Sequence, residues 1–194
     1  MIRITLGLLF GALLSPYVSA QSCDPNLDLR HTALPPSAKN DIVAAVARDA
    51  TKELAKEFAR LPSDSPSPHE IALGSCTSFP KLAQGGRVIL VTQGPDYPTD
   101  APISFIDSFW LFQQVGTHAV LILAGINFYG PASATYKNGM LDIQTSTQEA
   151  LRSSDVQVEI YRFNGKRYLP LHCYLATFDD NGDEQDGPKQ PCRK

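Results

Sequence analysis

The chain has 194 residues, of which 43% are hydrophobic and 19% are charged, and it contains 15 Pro, 13 Gly and 4 Cys. These proportions exclude a disordered chain, a collagen and a dense disulfide scaffold, and the length predicts one domain with a sizeable core. The 20 acidic residues outnumber the 17 basic ones. A general nucleic-acid-binding protein is therefore not expected, because it needs a basic surface to meet phosphates.

Residues 1–20 have the features of a secretory signal peptide. Arg3 supplies the positive charge, residues 6–14 form an apolar core, and Val18-Ser19-Ala20 places small residues at a cleavage site. The apolar core is too short to cross a membrane as a helix. We therefore predict an exported chain, periplasmic or extracellular, with no transmembrane segment.

Cleavage after Ala20 would leave a mature chain that starts at Gln21, and we expect residues 21–194 to form a single globular domain. A lipid anchor on Cys23 is the alternative. Gln21 at the second position of that motif does not suit lipid attachment.

Four cysteines lie after the predicted cleavage site, and an even number in an exported protein indicates two disulfides. They are Cys23, Cys76, Cys173 and Cys192. Three pairings are possible. We favour Cys23–Cys76 and Cys173–Cys192, because each terminus would then be tied to nearby structure. The absence of a C-x-x-C motif argues against a redox site or a zinc ribbon.

One amphipathic helix is predicted over about residues 38–61. Its apolar residues recur at intervals of three and four, which places them on one helix face: Val43, Val46, Ala50, Leu54, Phe58 and Leu61. Pro62 ends the pattern. We expect this face to pack against a sheet.

A β region is predicted over about residues 71–178. β-branched and aromatic runs indicate strands at 87–92, 109–114, 119–123 and 141–145. The predicted fold class is α+β, with one long N-terminal amphipathic helix packed on a curved, mainly antiparallel sheet of five to seven strands. An acidic tail follows over residues 179–194.

The last two predicted strands flank Asn164-Gly165, a sequence typical of a two-residue hairpin turn. Such a turn would pair Ile160 with Leu169 and would place Arg162 opposite Arg167. Two like charges in that arrangement must lie at a solvated edge or meet an anion.

Several segments of residues 87–174 together resemble a known pattern. They are Phe109-Trp110-Leu111-Phe112, Val120-Leu121-Ile122-Leu123, Asn138-Gly139-Met140-Leu141-Asp142-Ile143, Tyr161-Arg162-Phe163-Asn164-Gly165-Lys166-Arg167-Tyr168 and Cys173-Tyr174. The pattern resembles the C-terminal β region of small exported bacterial proteins of uncharacterised function, whose segments are similar to single blades of FG-GAP-type propellers. The resemblance implies a β fold and no chemistry. The calcium-binding Asp-x-Asp-x-Asp-Gly element of FG-GAP blades is missing from this region.

No motif for a cofactor or a catalytic nucleophile occurs in the sequence. Asp179, Asn181 and Asp183 have the spacing of a calcium loop, but Glu184 stands where that loop needs Gly. We therefore expect a solvated acidic tail, no metal site and no cofactor.

The segment 93–102 is the strongest candidate for a binding loop. Three Pro stiffen it, and Tyr97 lies between Asp96 and Asp100. A rigid loop with an aromatic anchor loses little entropy on binding. The alternative is a plain strand connection with Tyr97 folded back on the sheet. The predicted binding residues are Asp96, Tyr97, Asp100, Arg162 and Arg167.

Two functions fit these features. The first is an exported cell-envelope binding module, of the kind formed by inhibitors or immunity proteins, whose partner is a protein or another envelope component. The second is a periplasmic hydrolase whose site assembles only in space. That site would join one of three histidines, His69, His118 or His172, to Asp142 or Glu159.

Overall fold

The computed structural model describes residues 28–57, 67–92, 108–148, 156–178 and 184–192. These ranges contain two helices, α1 (Pro36–Glu57) and α2 (Pro68–Leu73). They also contain nine strands: β1 (Cys76–Ser78), β2 (Arg87–Thr92), β3 (Ser108–Val115), β4 (His118–Ile126), β5 (Phe128–Lys137), β6 (Met140–Gln148), β7 (Val156–Phe163), β8 (Tyr168–Phe178) and β9 (Glu184–Asp186). Neither helix is long and apolar enough to cross a membrane.

The strands form two antiparallel sheets. The first sheet has the order β1-β2-β3-β4, and the second has the order β5-β6-β7-β8-β9. The prediction of one long N-terminal helix on a single curved sheet of five to seven strands is therefore wrong. Two helices and two sheets take its place in the described ranges.

The chain changes sheets at Asn127, between β4 and β5. Asn127 has a φ of 49°, a conformation that Asn adopts more readily than most residues. Its side chain donates to the carbonyl of Ser146, and its own carbonyl accepts from the Ser146 amide. These two bonds attach the bend at Asn127 to β6. The strand that follows the bend, β5, therefore belongs to the second sheet.

Strand β3 is buried on both of its faces. Trp110 and Phe112 belong to a core shared with α1 and α2, whereas Phe109 and Leu111 belong to a core shared with the second sheet. The first sheet thus forms a middle layer between the helices and the second sheet. Side chains along β2 also alternate between the two cores, and Ile89 is directed to the helices.

Helix α1 is held on the first sheet by apolar packing and by two polar contacts. Val43, Val46 and Ala50 are all buried. The indole Nε1 of Trp110 donates to Asp49 Oδ2 over 2.9 Å, and Asp41 Oδ2 accepts from the backbone amide of Ala119. The side chains of 52–57 and all of residues 58–66 lie outside the described residues, so the rest of the predicted apolar face stays a prediction.

The hairpin between β7 and β8 does not have the predicted register. Phe163 pairs with Tyr168 and Arg162 pairs with Leu169, so the loop contains four residues, 164–167, and not two. The Asn164 side chain accepts from the backbone amides of Lys166 and Arg167, and the Asn164 amide donates to the Arg167 carbonyl. The longer loop allows both aromatic residues to face the core.

Ring packing and a buried hydrogen bond stabilise the observed register. The rings of Phe163 and Tyr168 lie 5.5 Å apart between centroids, and the Tyr168 hydroxyl donates to the Leu141 carbonyl over 2.8 Å. The predicted register would have placed Phe163 opposite Lys166. The predicted register would also have placed Leu169 and Leu171 on the core face of the hairpin, but these side chains are 38% and 41% exposed.

We predict that Gly165→Val destabilises the protein by roughly 1–3 kcal/mol, the usual cost of a strained backbone conformation. Gly165 has a φ of 98°, and an added Cβ would meet no atom within 4 Å. Backbone strain and not a clash would therefore cause the loss. Urea unfolding of the two proteins measures it.

Gly85→Val is the matched control. Gly85 is also surrounded by open space, but its φ lies outside the left-handed region. Its replacement should change the free energy of unfolding by less than about 0.5 kcal/mol. Equal losses at the two positions would contradict the predicted role of backbone conformation.

Candidate functional site

A polar groove of about 430 Å³ lies on the outer face of the second sheet, the face that is turned away from the first sheet. Strands β5 to β9 and the segment after β9 all contribute to it. The lining residues are Ala132, Asp142, Gln144, Ile160, Arg162, Leu171, His172, Tyr174, Asp186 and Lys189. We call this surface the outer groove.

Strand register explains why these side chains meet. Gln144 pairs with Ile160 and Ile160 pairs with His172, which makes one row across β6, β7 and β8. Side chains at paired positions point to the same face of a sheet. Ile160 and Tyr174 also belong to a small buried apolar cluster. The polar side chains of the outer groove therefore stand beside an apolar base.

A β-bulge on β8 changes the side-chain pattern beside the groove. Tyr161 pairs with Pro170, whereas the preceding Ile160 pairs with His172, so Leu171 is the extra residue. A bulge of this kind bends its strand and redirects side chains. It places Leu171 and His172 together in the groove lining.

A two-bond ion pair in the outer groove joins β6 to β7. Arg162 Nε donates to Asp142 Oδ1 over 3.0 Å, and Arg162 Nη2 donates to Asp142 Oδ2 over 2.7 Å. The Asp142 side chain is only 8% exposed, whereas that of Arg162 is 41% exposed. The carboxylate thus lies behind the guanidinium and holds it rigidly toward solvent, with Nη1 outside both bonds.

The chain after β9 lies against β8 and completes the groove wall. Gly187 donates from its amide to the Leu175 carbonyl, and Gln190 exchanges two backbone hydrogen bonds with Cys173. A Cβ on residue 187 would come within 2.6 Å of the Leu175 oxygen, so only Gly permits this approach. Lys189 lies between these two attachment points.

The Cys173–Cys192 disulfide fastens the same segment, and this predicted bridge is confirmed. Such a bond is typical of proteins that fold in an oxidising compartment. Cys76 is disulfide-bonded as well, and no described cysteine is free. Its predicted partner Cys23 lies outside the described residues.

His172 lies in a positive environment. The pKa of His172 is below its ordinary value because burial disfavours the imidazolium, and because the charges of Lys189 and Arg162 repel it. Asp142 acts in the opposite direction and is the smallest contribution. Arg162 and Lys189 therefore outweigh the carboxylate of Asp142 at the imidazole. No hydrogen bond among the described residues uses that ring, so it is available to a ligand.

The structure separates the two arginines that were predicted to face each other. Arg162 belongs to the outer groove, but Arg167 is an exposed residue of the hairpin loop. The predicted opposition of Arg162 and Arg167 is wrong, because Arg162 faces Leu169 across the strands. The predicted binding residues Asp96, Tyr97 and Asp100 lie outside the described residues.

The histidine and carboxylate candidates for catalysis also lie apart, with one exception. His69 is an exposed residue of α2, and His118 Nδ1 lies 2.9 Å from Asp41 Oδ2 beside α1. Glu159 accepts hydrogen bonds from the Tyr161 hydroxyl and the Gln157 side chain, and it lines a different cavity of about 100 Å³. Only His172 and Asp142 share a groove.

The sequence reading missed Lys189 as a groove residue and Arg162 as the partner of Asp142. Lys189 had been assigned to a solvated tail, and nothing local to it indicates a sheet contact. The sequence held one signal for the ion pair: Arg162 stands where the alternation of Val156, Val158 and Ile160 predicts an apolar residue. Across the described ranges, no group of three His, Cys, Asp or Glu side chains could hold a metal ion.

We predict that Arg162→Gln destabilises the protein by about 2 kcal/mol, because it leaves the buried Asp142 carboxylate without its charged donor. Arg167→Gln is the control, since Arg167 is exposed and takes part in no ion pair among the described residues. It should cost less than about 0.5 kcal/mol. Chemical denaturation of both variants measures the difference, and similar losses would contradict the structural role of the pair.

Comparison with known proteins finds no match for this chain. No family model, no curated protein and no solved structure is similar to it. The resemblance to FG-GAP-type blades therefore stays a prediction, and a function has to be inferred from the outer groove itself.

Proposed function

We propose that this protein is an exported binding module of the cell envelope, and that the outer groove holds its ligand. The observation that carries the proposal is the Asp142–Arg162 pair. It fixes a solvent-facing guanidinium beside the apolar side chains of Ile160 and Leu171. Binding sites combine a few oriented polar groups with apolar surface in this way. Since the donor is already held in place, little conformational entropy is lost when a ligand binds.

Export is supported by two independent features of the chain. Residues 1–20 have the charge, apolar core and cleavage pattern of a signal peptide. The Cys173–Cys192 bridge needs an oxidising compartment to form and persist. A periplasmic or extracellular location agrees with both.

The hydrolase alternative depends on His172 and Asp142, the one pair among the predicted catalytic residues whose members share the groove. Catalytic acid–base pairs need a carboxylate that can accept from the imidazole and orient it. Both oxygens of Asp142 already accept from Arg162. No hydrogen bond joins Asp142 to the His172 ring in the described residues, so the arrangement is better suited to binding than to proton transfer.

The loop 93–102 is a second contact in this proposal, with Tyr97 as its anchor. It belongs to the connection between the end of β2 and the start of β3. Its three Pro residues support a rigid loop, and a rigid loop with an aromatic anchor loses little entropy on binding.

Export predicts a defined mass for the secreted protein. The intact chain should begin at Gln21 and should have no free thiol, so that its mass rises by four hydrogen atoms on reduction, about 4 Da, for two disulfides. Mass spectrometry before and after reduction and alkylation measures both properties. A diacylglycerol adduct on Cys23, or alkylation without prior reduction, would contradict the prediction.

Binding predicts that groove and loop variants lose a ligand that the wild type retains. The full chain is immobilised and exposed to a solubilised envelope fraction of its own cells, and the affinity of each captured component is measured. His172→Ala should weaken binding at the groove at least about tenfold. Tyr97→Ala should weaken binding through the loop about thirtyfold, which corresponds to the ~2 kcal/mol of a typical aromatic anchor.

Lys166→Gln serves as the control, since Lys166 is exposed on the hairpin loop and is not part of the groove lining. It should retain wild-type affinity. Equal affinities for the wild type and for both His172→Ala and Tyr97→Ala would overturn the proposal. Hydrolysis of a captured component that stops in His172→Ala would establish the hydrolase instead.

A further inference from the structure

We propose that the outer groove binds the anionic oxygens of an acidic group, and that Arg162, His172 and Lys189 are the side chains that hold it. The inference rests on the proposed binding function and names the chemistry of its ligand. The three side chains come from β7, β8 and the segment after β9, and all three line one groove.

Arg162 offers a donor that the fold does not use. Its Nε and Nη2 bind Asp142, and the 41% exposure of the side chain leaves the opposite edge of the guanidinium accessible. The Asp142 carboxylate is buried behind this group. An anion that approaches from solvent therefore meets the guanidinium before it meets the acid, and charge-assisted hydrogen bonds to such oxygens are strong.

Lys189 is positioned by its neighbours and not by its own packing. The Gly187 and Gln190 backbone bonds to β8, together with the Cys173–Cys192 disulfide, fix the chain on both sides of it. Its side chain belongs to the groove lining, although the residue is exposed. A second positive charge is thus held near the imidazole of His172.

The charged and titratable groups around His172 come from every neighbouring element. Asp142 lies on β6, Arg162 on β7, Tyr174 on β8, Asp186 on β9 and Lys189 after it. Arg162 and Lys189 both disfavour the imidazolium, and they outweigh the opposing effect of Asp142. Among the charges that shift the pKa of the ring, the two cations therefore dominate, and a bound anion would offset their repulsion.

Anion binding and His172 protonation should support each other. A bound anion offsets the repulsion from Arg162 and Lys189, so the protonated ring is stabilised and its pKa rises. By linkage, the anion binds more tightly as the pH falls through that pKa.

The test follows the imidazole resonance of His172 by NMR during a pH titration of the full chain. The resonance is assigned by its loss in His172→Ala. Sulfate is the first probe, because its charge is constant over the titration range, and sodium chloride at the same ionic strength is the blank. Acetate is the second probe and distinguishes a planar carboxylate from a tetrahedral oxyanion such as phosphate or sulfate.

We expect at least one probe to raise the pKa of His172 relative to the chloride blank, with tighter binding at lower pH. Lys189→Gln should weaken that binding about tenfold, or about 1.4 kcal/mol. Lys166→Gln, the matched change on the hairpin loop, should leave it unaltered. Lys189 is an exposed side chain, so its replacement should keep the fold intact.

The inference is overturned if neither probe moves the His172 titration beyond the chloride blank. Equal losses in Lys189→Gln and Lys166→Gln would also overturn it, since they would indicate general screening. If the probes fail while His172→Ala still loses an envelope component, only the acidic-ligand inference is wrong. If sulfate or acetate binds but no envelope component depends on the groove, the acidic site stands and the proposed function is wrong.

Discussion

The burial of β3 on both faces is the constraint on which the rest of the structure depends. Trp110 and Phe112 on one side, and Phe109 and Leu111 on the other, are each at most 2% exposed. Large aromatic and aliphatic side chains lose their favourable burial if either side faces water. One layer must therefore cover each side. The helices cover the first, and the second sheet covers the other.

One face of the second sheet consequently lies in the core, and its outer face is turned away from the first sheet. Ile143, Phe163 and Tyr168 fill the core side. On the other side, Val158, Ile160, Tyr174 and Ala176 form only a small cluster, and polar groups surround it. A binding site can form on this outer face, because its side chains are not needed to fill the core between the two sheets.

The disulfide and the ion pair make that face rigid in different ways. Cys173 and Cys192 close a short loop, which restricts the unfolded chain and keeps the last segment on β8. Asp142 and Arg162 join β6 to β7 through two parallel hydrogen bonds, which fixes the guanidinium plane. The exposed side chain of Lys189 is thereby held over the same sheet as His172, although the two residues are far apart in sequence.

The sequence by itself determined the local properties of this protein. The run of β-branched residues at 87–92 predicted β2. The even cysteine count indicated two disulfides, and the Cys173–Cys192 pairing was favoured because it ties the C-terminus to nearby structure. Both patterns arise from interactions of neighbouring residues or from the pairing of a few thiols, so a linear reading detects them. The expected signal peptide and the Tyr97 loop are also local patterns, but they lie outside the described residues.

Only the tertiary structure decided how the strands divide and which side chains meet. The bend at Asn127 depends on bonds to Ser146, which lies nineteen positions further along the chain, and it turned one expected sheet into two. The hairpin register depended on whether Phe163 and Tyr168 could both reach the core, a property of the opposite sheet. The outer groove joins Asp142, Arg162, His172 and Lys189 from four separate segments. No spacing rule connects them, because their proximity follows from strand order and from the core that sets it.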